Sequence, residues 1–592
     1  MNEKQSVDKR LWLIASLAAC AIVIVYTAWP IFHNPQLEPD DYRYLEQVQS
    51  LKQDFWGNIS KVSVIENSWD QLWWINIHEK VRFFRPTVVL SYWLDDAIYG
   101  SNNTLGLLGT NILIYALCVF LVCLIFYRWI GPGISSLISS ILFAAFFAHG
   151  EVMWYVAGRT DSLAALFLLG CLTLHIYGRQ HPPLRWWAVP CFVLALLTKE
   201  LTAALPFILF LSDRWIEKRS ISLRTLLIQE WKIYSVYAII AVCFFVLRAR
   251  VISGPDIGYP YPYFVTLGNP NFLSHLLGQV NSYFANLLFA VDTVPFKIVT
   301  DFKYFESPRG ILPGIGIFCL CSFFLFKEKK YWILVLLGLA CWFPTIMVYP
   351  SERYLFLPSF AVAGSLGLLL LQLEQRNWKI NYTALLICII WIGHQAYSLQ
   401  VKNRAISGSP HLAERIGDQL EHLKSSITKG SKLLLLNLPG DVLQYQFVED
   451  QLRVQLADPD LDVAVITPMP ELFNMGAEMA ITRENKNTIT LQDTELLTPI
   501  MARGQDQFPW VTLDSASQYN AKSGIKIEIL DGNKDICSTL RVVLPHPLST
   551  YIFLKWEPAF GVVFLNPSTA VKLTPYERKM QSTVRILAPQ TY

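Results

Sequence analysis

Charge is scarce in this sequence. Asp, Glu, Lys and Arg make up 16% of its 592 residues, where soluble globular chains carry roughly 25%. That scarcity excludes a soluble enzyme, a disordered hub and a nucleic-acid-binding domain. With a net charge of only +3, no basic surface for DNA or RNA is present. Cysteine chemistry is also missing. Of 11 Cys, only Cys537 stands in the polar C-terminal part; the others lie in apolar runs. There is no CxxC pair and no disulfide framework, and Cys319-Leu320-Cys321 reads as membrane packing. Neither a long internal repeat nor a low-complexity tract occurs.

What is abundant is apolar: 53% of the residues are hydrophobic. A hydrocarbon layer about 30 Å thick is crossed by roughly 20 apolar residues. Such runs fall at 11–32, 105–129, 133–148, 162–178, 186–212, 232–251, 311–326, 331–349, 353–373 and 380–400. Lys4, Lys9 and Arg10 precede the first and hold the N-terminus in the cytoplasm. Leu17-Ala18-Ala19-Cys20 resembles a lipoprotein cleavage box, but the apolar run continues to Trp29, so an uncleaved span is expected. Residues 186–212 are long for one helix and interrupted by Lys199-Glu200. Read as two short helices, they place Arg214, Lys218, Arg219, Arg224 and Lys232 inside, as the positive-inside bias requires. Lys327, Lys329, Lys330, Arg376 and Lys379 then also fall inside, and 272–296 must lie at the outer surface. The expectation is a polytopic α-helical membrane protein of about eleven transmembrane helices, N-terminus in and C-terminus out.

Two regions then face the non-cytoplasmic side. One is a loop over 34–104 with Trp56, Trp69, Trp73, Trp74 and Trp93, as amphipathic interfacial helices would carry. The other is a C-terminal extracytoplasmic α/β domain over 405–592, following a membrane domain over 1–404. It opens with a helical stretch, HLAERIGDQLEHLKSSI, and continues with an apolar strand, LLLLNLP. IKIEIL, TLRVVL, YIFLKW and GVVFLN read as further strands.

Charged residues gather at the outer ends of the spans, where each is costly and therefore a functional candidate. They are Asp40-Asp41, His149 with Glu151, Arg159 with Asp161, Lys199-Glu200, and Glu352-Arg353. Each also has a plainer reading. Asp40-Asp41 suits a helix N-cap, and Glu151 with Arg159 suits one structural ion pair. Lys199-Glu200 suits a buried pair at a helix break, His149 a satisfied interfacial histidine, and Arg353 a headgroup anchor. Asp95-Asp96 and the sequons at Asn58 and Asn102 read as solvated loop.

In order and spacing, five signatures resemble the multi-pass GT-C glycosyltransferases, nearest to the protein O-mannosyltransferase-like group and its tetratricopeptide-bearing relatives. They are Asp40-Asp41; Phe84-Arg85-Pro86-Thr87 with Gly100 and Asn111; His149-x-Glu151 with Gly158-Arg159-x-Asp161; Leu197-Thr198-Lys199-Glu200 with Pro206 and Asp213; and Glu352-Arg353-Tyr354-x-Phe356-x-Pro358-Ser359. The resemblance covers about 11–400. Leu108 and Tyr115 stand where that group often has a His, Phe146-Phe147 replaces a frequent His-Pro, and no tetratricopeptide array follows.

The resemblance implies an inverting transfer of a sugar from a polyprenyl-phosphate donor to a hydroxyl of a protein, glycan or lipid on the non-cytoplasmic side. A bacterial inner membrane is the expected location, on the separate ground that the sequence is compact and shows no eukaryotic retrieval signal. An acceptor hydroxyl needs a base; the resemblance points to Asp40, with Asp41 beside it. The leaving group is already a phosphate, so no second acid is needed, unlike in a glycoside hydrolase. It needs a fixed cation: Arg353 first, for its bidentate fork, then Arg159 or Lys199. His149, Glu151, Asp161, Arg85 and Glu200 are expected to bind or orient substrate. Asp40, Asp41, His149 and Glu151 could ligate a divalent metal, but no metal or other cofactor is required. The 34–104 loop and the loop at 252–275 would cover the site. The main rival is a transporter or flippase of lipid-linked sugars, which should show midplane polar groups and repeat symmetry; a non-catalytic scaffold is the other.

Overall fold

The computed structural model describes residues 3–68, 80–100, 103–217, 222–252, 265–291, 310–376, 378–408, 427–436, 442–466, 479–493, 518–533, 536–557 and 561–565. Trp69, Trp73, Trp74, Asn102, Lys218, Arg219, half of the loop at 252–275 (253–264) and nearly all of the helical stretch at 411–427 lie outside them.

Each of the eleven apolar segments holds a helix: α1 (Glu3–Ala28), then, beyond the first loop, α5 (Thr104–Trp129), α6 (Ile134–Ala145), α8 (Arg159–Tyr177), α10 (Ala188–Leu196), α11 (Leu205–Ser212), α12 (Leu223–Val251), α14 (Ile311–Leu325), α15 (Lys329–Trp342), α16 (Phe356–Arg376) and α17 (Trp378–Gly408). Among the described residues six segments are long and apolar enough to cross a membrane alone. A seventh is α6 continued through Phe147–Trp154 after a 50° bend, whose helical end is α7 (Gly150–Trp154). Ile22, Val25, Leu113, Ile239, Phe323 and Ile390 are exposed on these helices, a surface that fits lipid rather than water. The chain is an integral membrane protein.

The 186–212 segment is a hairpin. A short helix, α9 (Pro182–Trp186), leads into α10, and Lys199 breaks the run in an extended conformation (φ −158°, ψ 129°). Lys199 meets Asp161 at the start of α8, whereas Asp213 meets His175 near its end. The fourteen residues between those contacts span roughly 21 Å at 1.5 Å per residue, so the chain runs out along α10 and back along α11.

Helix ends can be paired in the same way. Asn403 donates to Thr27 O and Asn34 to Ser407 O, at the end that carries Asp40. Lys330 reaches Trp129 O, and Ser135 donates to Glu374, at the opposite end. Asp213 is at this far end too, where it is fully buried and bound by His175, Arg179, Arg185 and Tyr234. In between, Phe126 stacks on Phe360 at 5.0 Å. A Cβ at Gly367 would lie 2.0 Å from Ser139 Oγ, so a small residue is required where α16 crosses α6.

Of the segment at 272–296, residues 292–296 lie outside the described residues, while Phe272–Phe289 forms α13 and meets the site-side turns, His275 at Ile346 O and Asn286 at Glu352. Its buried polar side chains supply the backbone of its neighbours. Gln279 donates to Thr345 O and Val348 O, while Asn281 accepts from Gly310 N and Ile311 N.

The first loop contains α2 (Asp41–Gln53), α3 (Phe55–Val62), an antiparallel β1 (Val64–Ser68) and β2 (Lys80–Phe84), and α4 (Pro86–Tyr99). Asn58 lies on α3, not in a loop, because its amide donates to Ser50 O at 2.9 Å. In the C-terminal region β3 (Lys432–Leu436), α18 (Val442–Leu456) and β4 (Asp462–Ile466) form a βαβ unit with parallel strands. The unbroken Leu433–Leu436 run is buried, as expected for a parallel strand covered on both faces. β10 (Tyr551–Glu557) and β11 (Gly561–Leu565) complete a sheet of order β11-β10-β3-β4. β5 (Met479–Arg483), β6 (Thr488–Asp493), β7 (Gln518–Asn520), β8 (Lys526–Asn533) and β9 (Ile536–Val543) form an antiparallel sheet of order β5-β6-β9-β8-β7. The four later strands read from the sequence are β8, β9, β10 and β11.

Candidate active site

Pro35 and Pro39 bracket the connection after α1 and hold it out of helix, which delivers Asp40 to the start of α2. Asp40 occupies the N-cap position, but its side chain makes no capping hydrogen bond. Its Oδ2 instead accepts the Tyr155 hydroxyl. Asp41 is 1% exposed, and both its oxygens are engaged. Oδ2 accepts from Glu38 N at 2.8 Å and Oδ1 from Ala157 N at 2.7 Å. The adjacent carboxylates thus differ in use: Asp41 fastens α2 to the turn before α8, and Asp40 is the partly accessible one. Burial raises Asp40 to about 6, against the opposing pull of the Tyr155 hydroxyl and the Arg353 charge. Burial and the charge of Asp40 lift Asp41 well above the usual carboxylate range, outweighing its two N–H bonds.

The turn that receives Asp41 is tight. A Cβ on Gly158 would sit 2.3 Å from the Glu151 carbonyl oxygen, so only glycine permits this approach of α7 and the start of α8. Tyr155 lies inside the turn and joins two groups. Its hydroxyl binds Asp40, and the Arg353 guanidinium lies 5.2 Å from its ring centroid.

Arg353 follows Ser351, whose extended backbone opens a short 3-10 turn over Glu352–Leu355. Glu151 holds this turn: its Oε2 accepts from Ser351 Oγ at 2.6 Å and from Arg353 N at 3.1 Å. The Arg353 side chain donates to Tyr349 Oη at 3.0 Å and approaches Asp161 at 4.0 Å. Asp161 pairs with Lys199 at 2.5 Å, and Lys199 lies 5.0 Å from the Tyr354 ring centroid. Arg85, Lys199 and Arg353 stand near enough for their charges to repel. The Leu197 carbonyl accepts from Thr87 N, which ties the Arg85 turn to this corner. Arg85, Lys199 and Arg353 thus stand among the carboxylates of Asp161, Glu151 and Asp40. Between Asp161, Arg353, Thr345 and Leu357 lies a cleft with about 10 Å³ for a water centre, enough for one water.

Other sequence candidates are placed elsewhere. Arg159 is 0% exposed. It pairs with Asp95 at 2.6 Å, donates to Asn111 Oδ1 and Leu107 O at 2.7 Å each, and lies over the Tyr92 ring. No face of its guanidinium remains for a phosphate. Its ion-pair partner is therefore Asp95, not Glu151, and Asp95 is buried on α4 rather than in a solvated loop. His149 is also 0% exposed. Tyr115 Oη lies 3.0 Å from its Nδ1 and Ser359 Oγ 2.8 Å from its Nε2, within a cage that includes Phe143, Phe146 and Phe356. Both of its ring nitrogens are thus partnered, as in the plainer reading. Glu200, half-buried, opens the 3-10 turn after Lys199. Glu352 is consumed by Lys402 and Asn286. Among the described residues no three His, Cys, Asp or Glu side chains form a metal-ligating group.

Tyr155 and Ser351 escaped the sequence reading. Neither belongs to an ionisable cluster, and only the fold brings them against Asp40 and Glu151.

No family model matches the chain. One curated relative, a protein O-mannosyl-transferase of Caenorhabditis elegans, is 27% identical over 158 residues, which is 25% of this chain; the match spans about a fifth (19%) of that relative's length. Among solved structures the chain is similar to ArnT from Cupriavidus metallidurans (14% identity, TM-score 0.46, 75% of this chain and 84% of that one). It is also similar to the oligosaccharyltransferase AglB from Archaeoglobus fulgidus (11% identity, TM-score 0.47, 77% and 65%). At these scores neither structural likeness fixes a substrate, and the chain stands as an integral membrane protein with a stretch similar to a protein O-mannosyl-transferase.

Proposed function

We propose that this protein is an inverting glycosyltransferase that moves a sugar from a polyprenyl-phosphate donor to an acceptor hydroxyl. The observation that carries the reading is that Asp40 and Arg353 meet through one residue, Tyr155. A base and an anion-binding cation thus border one site at one end of an apolar helix bundle. The donor's lipid tail would lie along the exposed apolar helices, with its phosphate at the Arg353–Lys199–Arg85 corner. The short match to a protein O-mannosyl-transferase supports the same class, and a protein Ser or Thr as one acceptor.

In the step, the acceptor oxygen attacks the anomeric carbon from the Asp40 side and the bond from that carbon to the phosphate oxygen breaks. The phosphate keeps the electron pair, and Asp40 takes the hydroxyl proton. A carboxylate near 6 is matched to this work close to neutral pH. The phosphate gains charge as the bond breaks, so fixed positive charge beside it holds the transition state more tightly than the bound donor. Arg353 and Lys199 supply it, Arg85 adds to it, and Asp161 keeps Lys199 and Arg353 in place. The chemistry calls for no metal, since no group needs a Lewis acid to leave. The cleft must widen to admit a hexose. The basic loops at the far end favour that end as the cytoplasmic one, with the site and C-terminal α/β region across the membrane.

The test is purified full-length protein in nanodiscs with undecaprenyl-phosphate mannose, glucose and aminoarabinose, scored by mass spectrometry for transfer to Ser/Thr peptides, glycans and lipid A. Transfer by wild type that is lost in Arg353→Ala, at unchanged folding, supports the reading. Undiminished transfer in Arg353→Ala removes the phosphate site.

A further inference from the structure

Helix α2 carries Asp40 at its start and has two faces. Tyr44, Val48 and Leu51 are buried; Tyr44 packs on Tyr92 of α4 at 4.8 Å, and its hydroxyl lies 3.3 Å from Thr160 Oγ1 of α8. The other face presents Arg43, Glu46 and Gln49, three residues apart, to α18 of the C-terminal βαβ unit. Arg43 Nε lies 2.6 Å from Asp450 Oδ2, and its guanidinium is over the Phe447 ring at 5.6 Å. Glu46 Oε1 lies 3.1 Å from Arg453 Nη1, and Gln49 donates to Val454 O at 3.3 Å. Asp450 is buried at 3% exposure. Behind it, α18 is tied to its sheet: Arg453 donates to Leu461 O, and Glu449 accepts from Val463 N and pairs with Lys522.

The order of signs fixes the register. A slip of one turn in one direction sets Arg43 against Arg453; a slip in the other sets Glu46 against Asp450. Both oppose like charges, one of them at a buried carboxylate, so a single alignment is favoured. One helical turn is about 5.4 Å, and Asp40 would travel with α2.

We propose that the C-terminal α/β unit sets the position of the base, with Asp450 and Arg453 acting through Arg43 and Glu46 to hold α2 so that Asp40 stays against Tyr155. The inference rests on Asp40 being the base. Asp450 and Arg453 are positioning residues: they act on the proton-accepting carboxylate from outside the site and touch no substrate.

The experiment uses the full-length protein in nanodiscs. Asp450→Asn, Asp450→Glu, Arg43→Gln, Glu46→Gln and the double Arg43→Gln/Asp450→Asn are compared with Asp40→Asn. Turnover is measured on the same three undecaprenyl-phosphate sugars, and binding on undecaprenyl phosphate itself. Misplacing a reacting group by an ångström costs up to about 10²-fold, so Asp450→Asn and Arg43→Gln should each lose roughly tenfold or more in kcat per folded molecule. Undecaprenyl phosphate binding should stay within about twofold, because the cation corner is untouched. Asp450→Glu should recover most of the rate, and the double variant should be no worse than either single. Glu46→Gln, at a more exposed pair, should fall a few-fold in the same direction and serves if Asp450→Asn does not fold. If Asp40→Asn is inactive while the folded clamp variants turn over at the wild-type kcat, the clamp is refuted and the base assignment stands. If Asp40→Asn turns over normally, the base assignment is refuted and the clamp falls with it.

Discussion

Replacing each aspartate of the tandem pair by asparagine should produce two different failures. In Asp40→Asn the amide oxygen still accepts the Tyr155 hydroxyl, so the turn is kept and the base is lost. A positioned base contributes about 10²–10⁴-fold, or roughly 3–5 kcal/mol of barrier, so kcat should fall by that factor with unchanged thermal stability. Asp41 accepts two backbone N–H groups, one on each oxygen. An amide offers one acceptor and turns its NH2 toward the other donor. Leaving a buried N–H unpaired costs about 1–3 kcal/mol, so Asp41→Asn should lose stability first, and activity only as the turn loosens. Transfer assays per folded molecule, alongside unfolding followed by intrinsic fluorescence, read both quantities. Near-wild-type kcat in Asp40→Asn, with loss of transfer in a fully stable Asp41→Asn, would assign the base to the wrong carboxylate and refute this account.

Other outcomes follow from the same contacts. Because Asp40 must be deprotonated to accept a proton and sits at about 6, kcat should rise with pH through about 6. Tyr155→Phe removes a hydrogen bond that favours the charged form, so this acid limb should move to higher pH, which a pH–rate profile detects. Asp95→Ala leaves the Arg159 guanidinium buried without its carboxylate, and should cost about 3–5 kcal/mol of stability with no selective rise in donor KM. Gly158→Ala drives a methyl into the Glu151 carbonyl; it should destabilise the fold and weaken transfer, and a larger residue there should do more damage.

The plainer readings were resolved by contacts that no local pattern encodes. Arg159 and Lys199 look alike in the sequence, each a cation beside a span end, yet one is enclosed by Asp95, Asn111 and Tyr92 while the other pairs with Asp161, which lines the cleft. His149 and Glu151 share one motif and part in space: the histidine turns into an aromatic cage, and the glutamate supports the backbone of Arg353.

What the sequence by itself determined is the helical scaffold and its ends. Apolar run length against bilayer thickness is a local property, and the Lys199 break within 186–212 was legible for the same reason. Strand runs such as Leu433–Leu436 were legible too, since burial on both faces demands unbroken apolar residues. Only the tertiary structure decided which charges share a site. The pairings of Asp40 with Tyr155, Arg353 with Glu151 and Arg43 with Asp450 join residues 115, 202 and 407 positions apart. Contacts at such separations depend on how rigid helices pack, and a sequence pattern of a few residues carries no term for that.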